Sequence, residues 1–268
     1  MTIFSVIFVV LSLVLTVLRT ILTLCAIEPD TGFYGGMPAL VLVQNVLFVF
    51  SAVGLAAWVL WRVPKNGKVC PGRFVKPMAL LLGAGGLLGC LSGLIGLWTG
   101  LLAFTQGSEE VTLIGLMARV LAVPGALGLL AMSVPLFRTG QYRWGLWGSA
   151  LASVWMTVEA VACFMAYPTI ANISDQTLEV AALCMGALFW LAHTRAVAQE
   201  KTLACVPRQA KLWGLFFGLF AVPLSIAQFC GLLTGQVCAV HMSPLRQGML
   251  LFLGCYAALW SLSLRMEK

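Results

Sequence analysis

Three charged residues stand inside long apolar stretches of the sequence, and their side chains are the first candidates for chemistry. Arg19, Arg119 and Glu159 each lie about seven residues from one end of their apolar segment. A charged side chain at the centre of a bilayer costs about 2.5–3.5 kcal/mol on insertion scales, so it needs a partner or a function. Arginine donates paired hydrogen bonds to carboxylate and phosphate groups. Glutamate can position a cation or carry a proton.

Three side-chain amides fall at nearly the same depth as the charged residues. They belong to Gln44, Asn45 and Gln228. At 1.5 Å per residue, all six positions lie roughly 10 Å below one membrane boundary. We therefore expect a single polar layer, contributed by five helices, that faces a shared interior.

Two interpretations of this layer are open. In the first it is structural: Glu159 pairs with Arg119 or with Arg19, and the amides satisfy hydrogen bonds between packed helices. In the second the layer lines a binding cavity that opens to the outside. Two arginines against one glutamate then leave an excess positive charge, which suits a carboxylate or a phosphate.

The elements that must position these residues are membrane-spanning helices. Of the 268 residues, 61% are hydrophobic and only 9% are charged, which excludes a water-soluble globular domain. Runs of about 20 apolar residues match the thickness of a bilayer, and lipid admits only helices or closed barrels. The runs lack the alternation of barrel strands. We predict an all-α polytopic bundle with eight helices, at 3–26, 37–61, 78–104, 112–136, 144–166, 178–194, 212–234 and 246–264.

The first apolar run is predicted to be a retained helix. No Lys or Arg precedes residues 3–26, the run is longer than the apolar part of a signal peptide, and Leu24 before Cys25 does not fit a lipoprotein cleavage site.

Basic residues set the predicted orientation. Thirteen Lys and Arg residues fall in the connections 62–77, 137–143 and 195–211 and in the C-terminal tail, whereas Arg246 alone falls on the opposite side. Positively charged connections stay in the cytoplasm, so both termini are predicted to be cytoplasmic. The opposite side gathers six acidic residues, namely Glu28, Asp30, Glu109, Glu110, Asp175 and Glu179.

The chain also resembles itself at an offset of 135 residues. Residues 70–100 and 205–235 share nine identities in 31 positions, including a Cys-x-x-Arg-x-x-Lys pattern and a Gly-Leu-x-Thr-Gly pattern. This similarity predicts a 4+4 internal repeat, with halves at 1–134 and 135–268 within one membrane domain. An even number of helices in each half gives both halves the same orientation.

Glycines recur along the third segment at four-residue spacing, at positions 85, 89 and 93, and the interval repeats at 96 and 100. Such a row allows close contact with a neighbouring helix of the same chain or with another subunit. The basic connections could bind anionic lipid headgroups, although orientation already explains their charge. Nothing in the pattern indicates nucleic-acid binding.

One short stretch resembles a known group of proteins. Asp30-Thr31-Gly32-Phe33-Tyr34, directly after the first segment, is similar to a loop in uncharacterised multi-pass proteins of Gram-positive anaerobic bacteria. The resemblance covers these five residues and implies a bacterial plasma membrane. It implies no activity.

Residues for enzyme chemistry are lacking in the sequence. The two histidines, His193 and His241, fall near opposite membrane faces, so they cannot share a metal or a catalytic triad. Glu159 is the sole carboxylate expected in the hydrocarbon region, which excludes an intramembrane pair of catalytic carboxylates. We therefore expect no enzyme, no metal and no cofactor.

These observations lead to two functional hypotheses. The first is a transporter or permease for a small polar or anionic solute, with Arg19, Arg119 and Glu159 positioning the solute. Gln44, Asn45 and Gln228 complete the predicted site. The alternative is a non-transporting membrane subunit or scaffold whose polar layer is structural.

Overall fold

Long helices account for nearly all of the described chain. In a computed structural model that describes residues 2–26, 37–63, 68–70, 74–106, 112–142, 144–165, 173–198, 206–235 and 243–267, there are eight α-helices. They are α1 (Thr2–Cys25), α2 (Pro38–Arg62), α3 (Val75–Thr105), α4 (Leu113–Thr139), α5 (Gly145–Met165), α6 (Ile173–Val197), α7 (Val206–Leu233) and α8 (Pro244–Ser263). All eight are long and apolar enough to cross a membrane, as the sequence predicts for an all-α multi-pass membrane protein.

A small strand pair accompanies the helices. Strand β1 (Lys68–Cys70) follows α2, and strand β2 (Arg265–Glu267) follows α8. They pair antiparallel, with Val69 opposite Met266. The pair joins the C-terminal tail to the connection between α2 and α3. At three residues each, the strands do not change the all-α class.

Polar contacts show which helix ends lie together. Arg208 at the start of α7 donates two hydrogen bonds, of 3.1 and 2.7 Å, to the carbonyl oxygen of Val63 after α2. We call this side of the bundle the basic end and the opposite side, where α1, α3, α5 and α7 finish, the acidic end. Trp61, Trp144 and Trp147 are exposed at the basic end. Tryptophan favours the headgroup region of a bilayer, so these positions suit a membrane boundary.

Helices α3 to α8 form a closed six-helix ring. Each contacts the next along the chain, and α3 also contacts α8. Buried side chains fill the interior, among them Trp155, Trp190, Tyr256 and Trp260. Large aromatic side chains bury much apolar area and pack edge to face, which makes this interior a core rather than an open channel.

Helices α1 and α2 lie outside the ring against α7. A second buried cluster fills this contact and includes Phe8, Leu15, Phe48 and Leu219. On the other side of α1 and α2, apolar side chains such as Phe50, which is 71% exposed, face outward. In water such a surface would be unfavourable, so it fits contact with lipid. Helix α7 therefore packs on one side against its ring neighbours α6 and α8 and on the other side against α1 and α2.

Glycines allow close approach inside the ring. A Cβ atom on Gly148 of α5 would lie 2.5 Å from the carbonyl oxygen of Gly128 of α4. In α3, Gly85 faces Leu253 of α8. The predicted glycine row of α3 therefore contacts helices of the same chain.

The predicted 4+4 repeat stays a prediction. A boundary between residues 134 and 135 falls within α4, which continues to Thr139. Helices α3 and α7, which carry the similar sequences, have different surroundings: α7 contacts α1, α2, α6 and α8, whereas α3 contacts α4 and α8.

Candidate functional site

A cavity of about 290 Å³ lies between α3, α4, α5 and α8 towards the acidic end. Three charged side chains line it, those of Arg119, Glu159 and Arg246. We call it the Arg119 cavity. Pockets for small molecules usually have volumes of about 300–1,000 Å³, so this cavity has room only for a small solute. Arg119 and Glu159, which the sequence places at one depth, thus share one cavity.

Arg119 reaches the cavity from α4 across the surface of α3. Its Nη1 donates a hydrogen bond of 3.0 Å to the carbonyl oxygen of Gly96. A Cβ atom on Gly96 would lie 3.6 Å from Cγ and Cδ of Arg119, and one on Gly100 would collide with the guanidinium. The absence of side chains at these two glycines therefore provides the space for the arginine.

The charge of Arg119 has no ion-pair partner among the residues that the structure describes. The Gly96 carbonyl satisfies one of its five N–H donors. Arg119 is half-buried, so solvent does not fully screen its charge. It is therefore available to bind an anionic group that enters the cavity.

Arg246 of α8 pairs with two glutamates from two other helices. Its Nη1 lies 3.0 Å from Oε1 of Glu159 on α5, and its Nη2 lies 2.5 Å from Oε1 of Glu179 on α6. The side chains of Arg246, Glu159 and Glu179 are 25%, 16% and 5% exposed. One guanidinium therefore neutralises two carboxylates and joins three helices. The group as a whole keeps one formal negative charge.

The helix bounds place Arg119, Glu159 and Glu179 at a common depth. Arg119 is six residues from the start of α4 at Leu113, and Glu159 is six residues from the end of α5 at Met165. Glu179 is six residues from the start of α6 at Ile173. At 1.5 Å per residue this is about 9 Å from the acidic end of the bundle.

The other predicted site residues lie elsewhere. Arg19 of α1 is buried, and its Nη1 donates a 3.3 Å hydrogen bond to Oε1 of Gln44 on α2. Gln228 of α7 is buried and accepts a 3.1 Å hydrogen bond at Oε1 from Nε2 of Gln247 on α8. Asn45 is exposed on the outer surface of α2. The residues lining the Arg119 cavity do not include Arg19, Gln44, Asn45 or Gln228.

Two expectations about Glu159 are wrong. Its ion-pair partner is Arg246, not Arg119 or Arg19. It is also not the sole carboxylate inside the helices, because Glu179 lies within α6 and is buried. The apolar run predicts that this helix begins at residue 178, whereas α6 begins at Ile173. Polar residues form its first turn, so the apolar run underestimates the helix.

Arg246 and Glu179 are the functional candidates that the sequence prediction missed. Each stands at the edge of an apolar run, so the sequence places both among the charges of one membrane side. A signal for Arg246 was present: it is the one basic residue among the acidic residues of its side. An isolated positive charge there has carboxylates as its nearest partners, which favours an ion pair.

Trp155 packs at the cavity wall with its indole N–H buried. It lines the cavity, is 3% exposed, and its indole N–H finds no hydrogen-bond acceptor among the described residues. A buried N–H without an acceptor costs about 1–3 kcal/mol.

The buried histidine belongs to an aromatic cluster nearer the basic end. Nε2 of His193 lies 3.0 Å from the hydroxyl of Tyr256, and the ring packs on Trp260 and edge to face with Tyr142. Burial raises the pKa of Tyr142 to about 12, so its hydroxyl stays protonated at physiological pH. His241 lies outside the described residues. We read the cluster as packing that joins α6 and α8.

Within the described parts of the chain, no group of three or more His, Cys, Asp or Glu side chains could hold a metal ion.

Comparison with known proteins gives no family model, no curated protein and no solved structure that matches the chain.

Proposed function

We propose that this multi-pass membrane protein is a transporter or permease for a small polar solute, which binds in the Arg119 cavity. The observation that carries the proposal is a half-buried arginine that lines a cavity and has no ion-pair partner among the described residues. A charge held inside a membrane bundle is costly, and a solute that pairs with it offsets that cost. A purely structural arginine would instead be satisfied within the fold.

The depth of the cavity suits a transport site that is reached from one side. It lies about 9 Å inside the acidic end, between four helices of the ring. The basic end is the proposed cytoplasmic side because positively charged connections stay inside, which places both termini in the cytoplasm. The cavity then faces the exterior of a bacterial plasma membrane. Below it, the aromatic core of the ring closes the way to the cytoplasm.

Ligand-dependent thermal stability of the detergent-purified protein tests the proposal. A solute that binds only the folded state raises the stability by RT ln(1 + [L]/Kd), so a broad panel of small anions and polar metabolites can be screened. Wild type is compared with Arg119→Gln. Arg138→Gln is the matched control, since Arg138 is on the same helix but exposed at the basic end. We expect a dose-dependent shift in wild type and control that vanishes in Arg119→Gln.

A scaffold without transport is the second candidate. The observation that favours it is the Glu159–Arg246–Glu179 group, which joins α5, α6 and α8 and has an evident structural effect. In a scaffold no solute in the panel shifts the stability of wild type, and Arg119→Gln only lowers it. That result would replace the transporter proposal with the structural one.

Anionic lipids are proposed as partners at the basic end. Some of the basic residues there already have structural roles: Arg208 holds the Val63 carbonyl, and Lys211 is buried with its Nζ 5.5 Å from the ring centre of Trp58. The exposed Lys76 at the start of α3 is a better candidate for a lipid contact.

A further inference from the structure

We infer that the solute of the Arg119 cavity is amphoteric, with an anionic group bound by Arg119 and an ammonium group bound by Glu159. The inference rests on the proposed function and names the substrate class of the same site. It starts from the oppositely charged side chains of Arg119 and Glu159, which line one small cavity together with Arg246. Neither is neutralised one to one by another described residue.

The carboxylate side of the cavity has capacity for a cation. Glu159 and Glu179 share Arg246, so the three groups together carry one excess negative charge. The ion pair joins Nη1 of Arg246 to Oε1 of Glu159, and Glu159 lines the cavity whereas Glu179 does not. A solute ammonium placed beside Glu159 would bring the group to neutrality.

The arginine side has the complementary capacity for an anion. Arg119 carries a positive charge and donates one hydrogen bond to a neutral carbonyl. Carboxylate and phosphate match the planar fork of a guanidinium.

Charge balance separates the amphoteric solute from simpler ones. The four charged side chains sum to zero, since two arginines face two glutamates. A simple anion adds an unbalanced negative charge near two carboxylates, and a simple amine adds an unbalanced positive charge near two arginines. In a half-buried site either imbalance is costly. A solute with one charge of each sign leaves the sum unchanged.

The size and the rim of the cavity limit which molecules could supply the two opposite charges. A volume of about 290 Å³ fits a molecule the size of a small amino acid. Ile95 and Thr99 of α3 line the cavity and are exposed, so its rim reaches the outer surface of the bundle. The same pair of charges occurs in a free amino acid and in the phosphoethanolamine headgroup of a lipid. The experiment therefore includes both sources.

The test compares matched soluble probes by thermal shift and by calorimetric titration in detergent. The probes are glycine, β-alanine, γ-aminobutyrate and 5-aminovalerate, with butyrate and butylamine as analogues of one charge. We expect at least one amino acid to bind about tenfold or more tightly than either analogue, the effect of about 1.4 kcal/mol. A separate arm adds phosphatidylethanolamine or phosphatidylglycerol at equal mole fraction.

Variants assign the two ends of the bound probe. Arg119→Gln and Glu159→Gln should each weaken the amino acid about tenfold or more, whereas Arg138→Gln should bind like wild type. Gly100→Ala is a second variant for the anionic end: its new Cβ displaces the Arg119 guanidinium while every charge is retained. It should weaken the same probe even where Arg119→Gln fails to fold.

Each outcome distinguishes this inference from the proposed function. If butyrate or butylamine binds as tightly as the amino acids, the amphoteric inference is overturned while a solute site remains. If only phosphatidylethanolamine stabilises the protein, and Glu159→Gln abolishes the effect, the amphoteric chemistry holds but transport of a free solute does not. If no probe binds, or if bound amino acids are indifferent to Arg119→Gln and Glu159→Gln, the inference fails.

Discussion

Replacing Arg246 by glutamine tests the energetic role of the Glu159–Arg246–Glu179 group. The change removes ion pairs of 3.0 and 2.5 Å and leaves two carboxylates close together in the ring. Breaking a buried ion pair by removing one partner costs about 3–5 kcal/mol, whereas hydrogen bonds between membrane helices average about 0.6 kcal/mol. Because Arg246 and Glu159 are 25% and 16% exposed, solvent offsets part of the loss. We expect Arg246→Gln to lower the free energy of unfolding by about 2–3 kcal/mol.

Unfolding by SDS in mixed micelles, monitored by helix content, measures this loss. Adding Glu179→Gln to Arg246→Gln should restore more stability than adding Glu159→Gln, since Glu179 is 5% exposed and its uncompensated charge costs more. The reasoning is refuted if Arg246→Gln unfolds like wild type, or if the Glu159 change restores more.

Two further predictions concern contacts outside the cavity. Gly148→Ala should destabilise the protein by about 1–3 kcal/mol, because its Cβ would lie 2.5 Å from the backbone oxygen of Gly128. Gly54→Ala is its matched control, since nothing lies within 4 Å of a Cβ there. If Gly148→Ala and Gly54→Ala unfold at the same SDS concentration, the close approach of Gly148 to Gly128 is contradicted. Arg208→Ala should lower the stability by about 1–2 kcal/mol through loss of two hydrogen bonds to the Val63 oxygen. Hydrogen exchange should then rise at the Val63 amide, and unchanged exchange would count against this link.

The architecture was largely accessible from the sequence. Eight apolar runs predict eight helices because a bilayer requires about 20 residues in each, and the structure has helices at all eight places. The depth of Arg119 and Glu159 was also predictable, since rise per residue converts a position in a helix into a height. Both residues accordingly line the same cavity.

The sequence could not predict which face of each helix points inward or which helices are neighbours. Adjacent residues of a helix point about 100° apart, so Gln44 and Asn45 cannot both face the interior, and apolar residues on every side of α2 conceal which one does. Gln44 is buried and Asn45 is exposed. The ion-pair partner of Glu159 depends on which helices are neighbours. At the cavity α8 lies beside α3, α4 and α5, so Arg246 is the cation that reaches Glu159.

Helix ends were the other source of error. Apolar runs report where side chains avoid water, whereas a helix continues into polar residues that its first turn exposes. The apolar run 178–194 places Glu179 one residue from its start, whereas Glu179 lies six residues inside α6. The predicted surplus of positive charge disappears because Arg19 does not line the Arg119 cavity, whereas Arg246 and Glu179 add one charge of each sign.

Solute flux across a membrane tests the central claim most directly. The protein is reconstituted into proteoliposomes, and uptake of a labelled solute chosen from the binding panel is measured for wild type, Arg119→Gln and Arg138→Gln. The account predicts saturable uptake by wild type and Arg138→Gln that exceeds protein-free liposomes and is lost in Arg119→Gln. Uptake by folded wild type no faster than in protein-free liposomes, for a solute that binds the cavity, would contradict it.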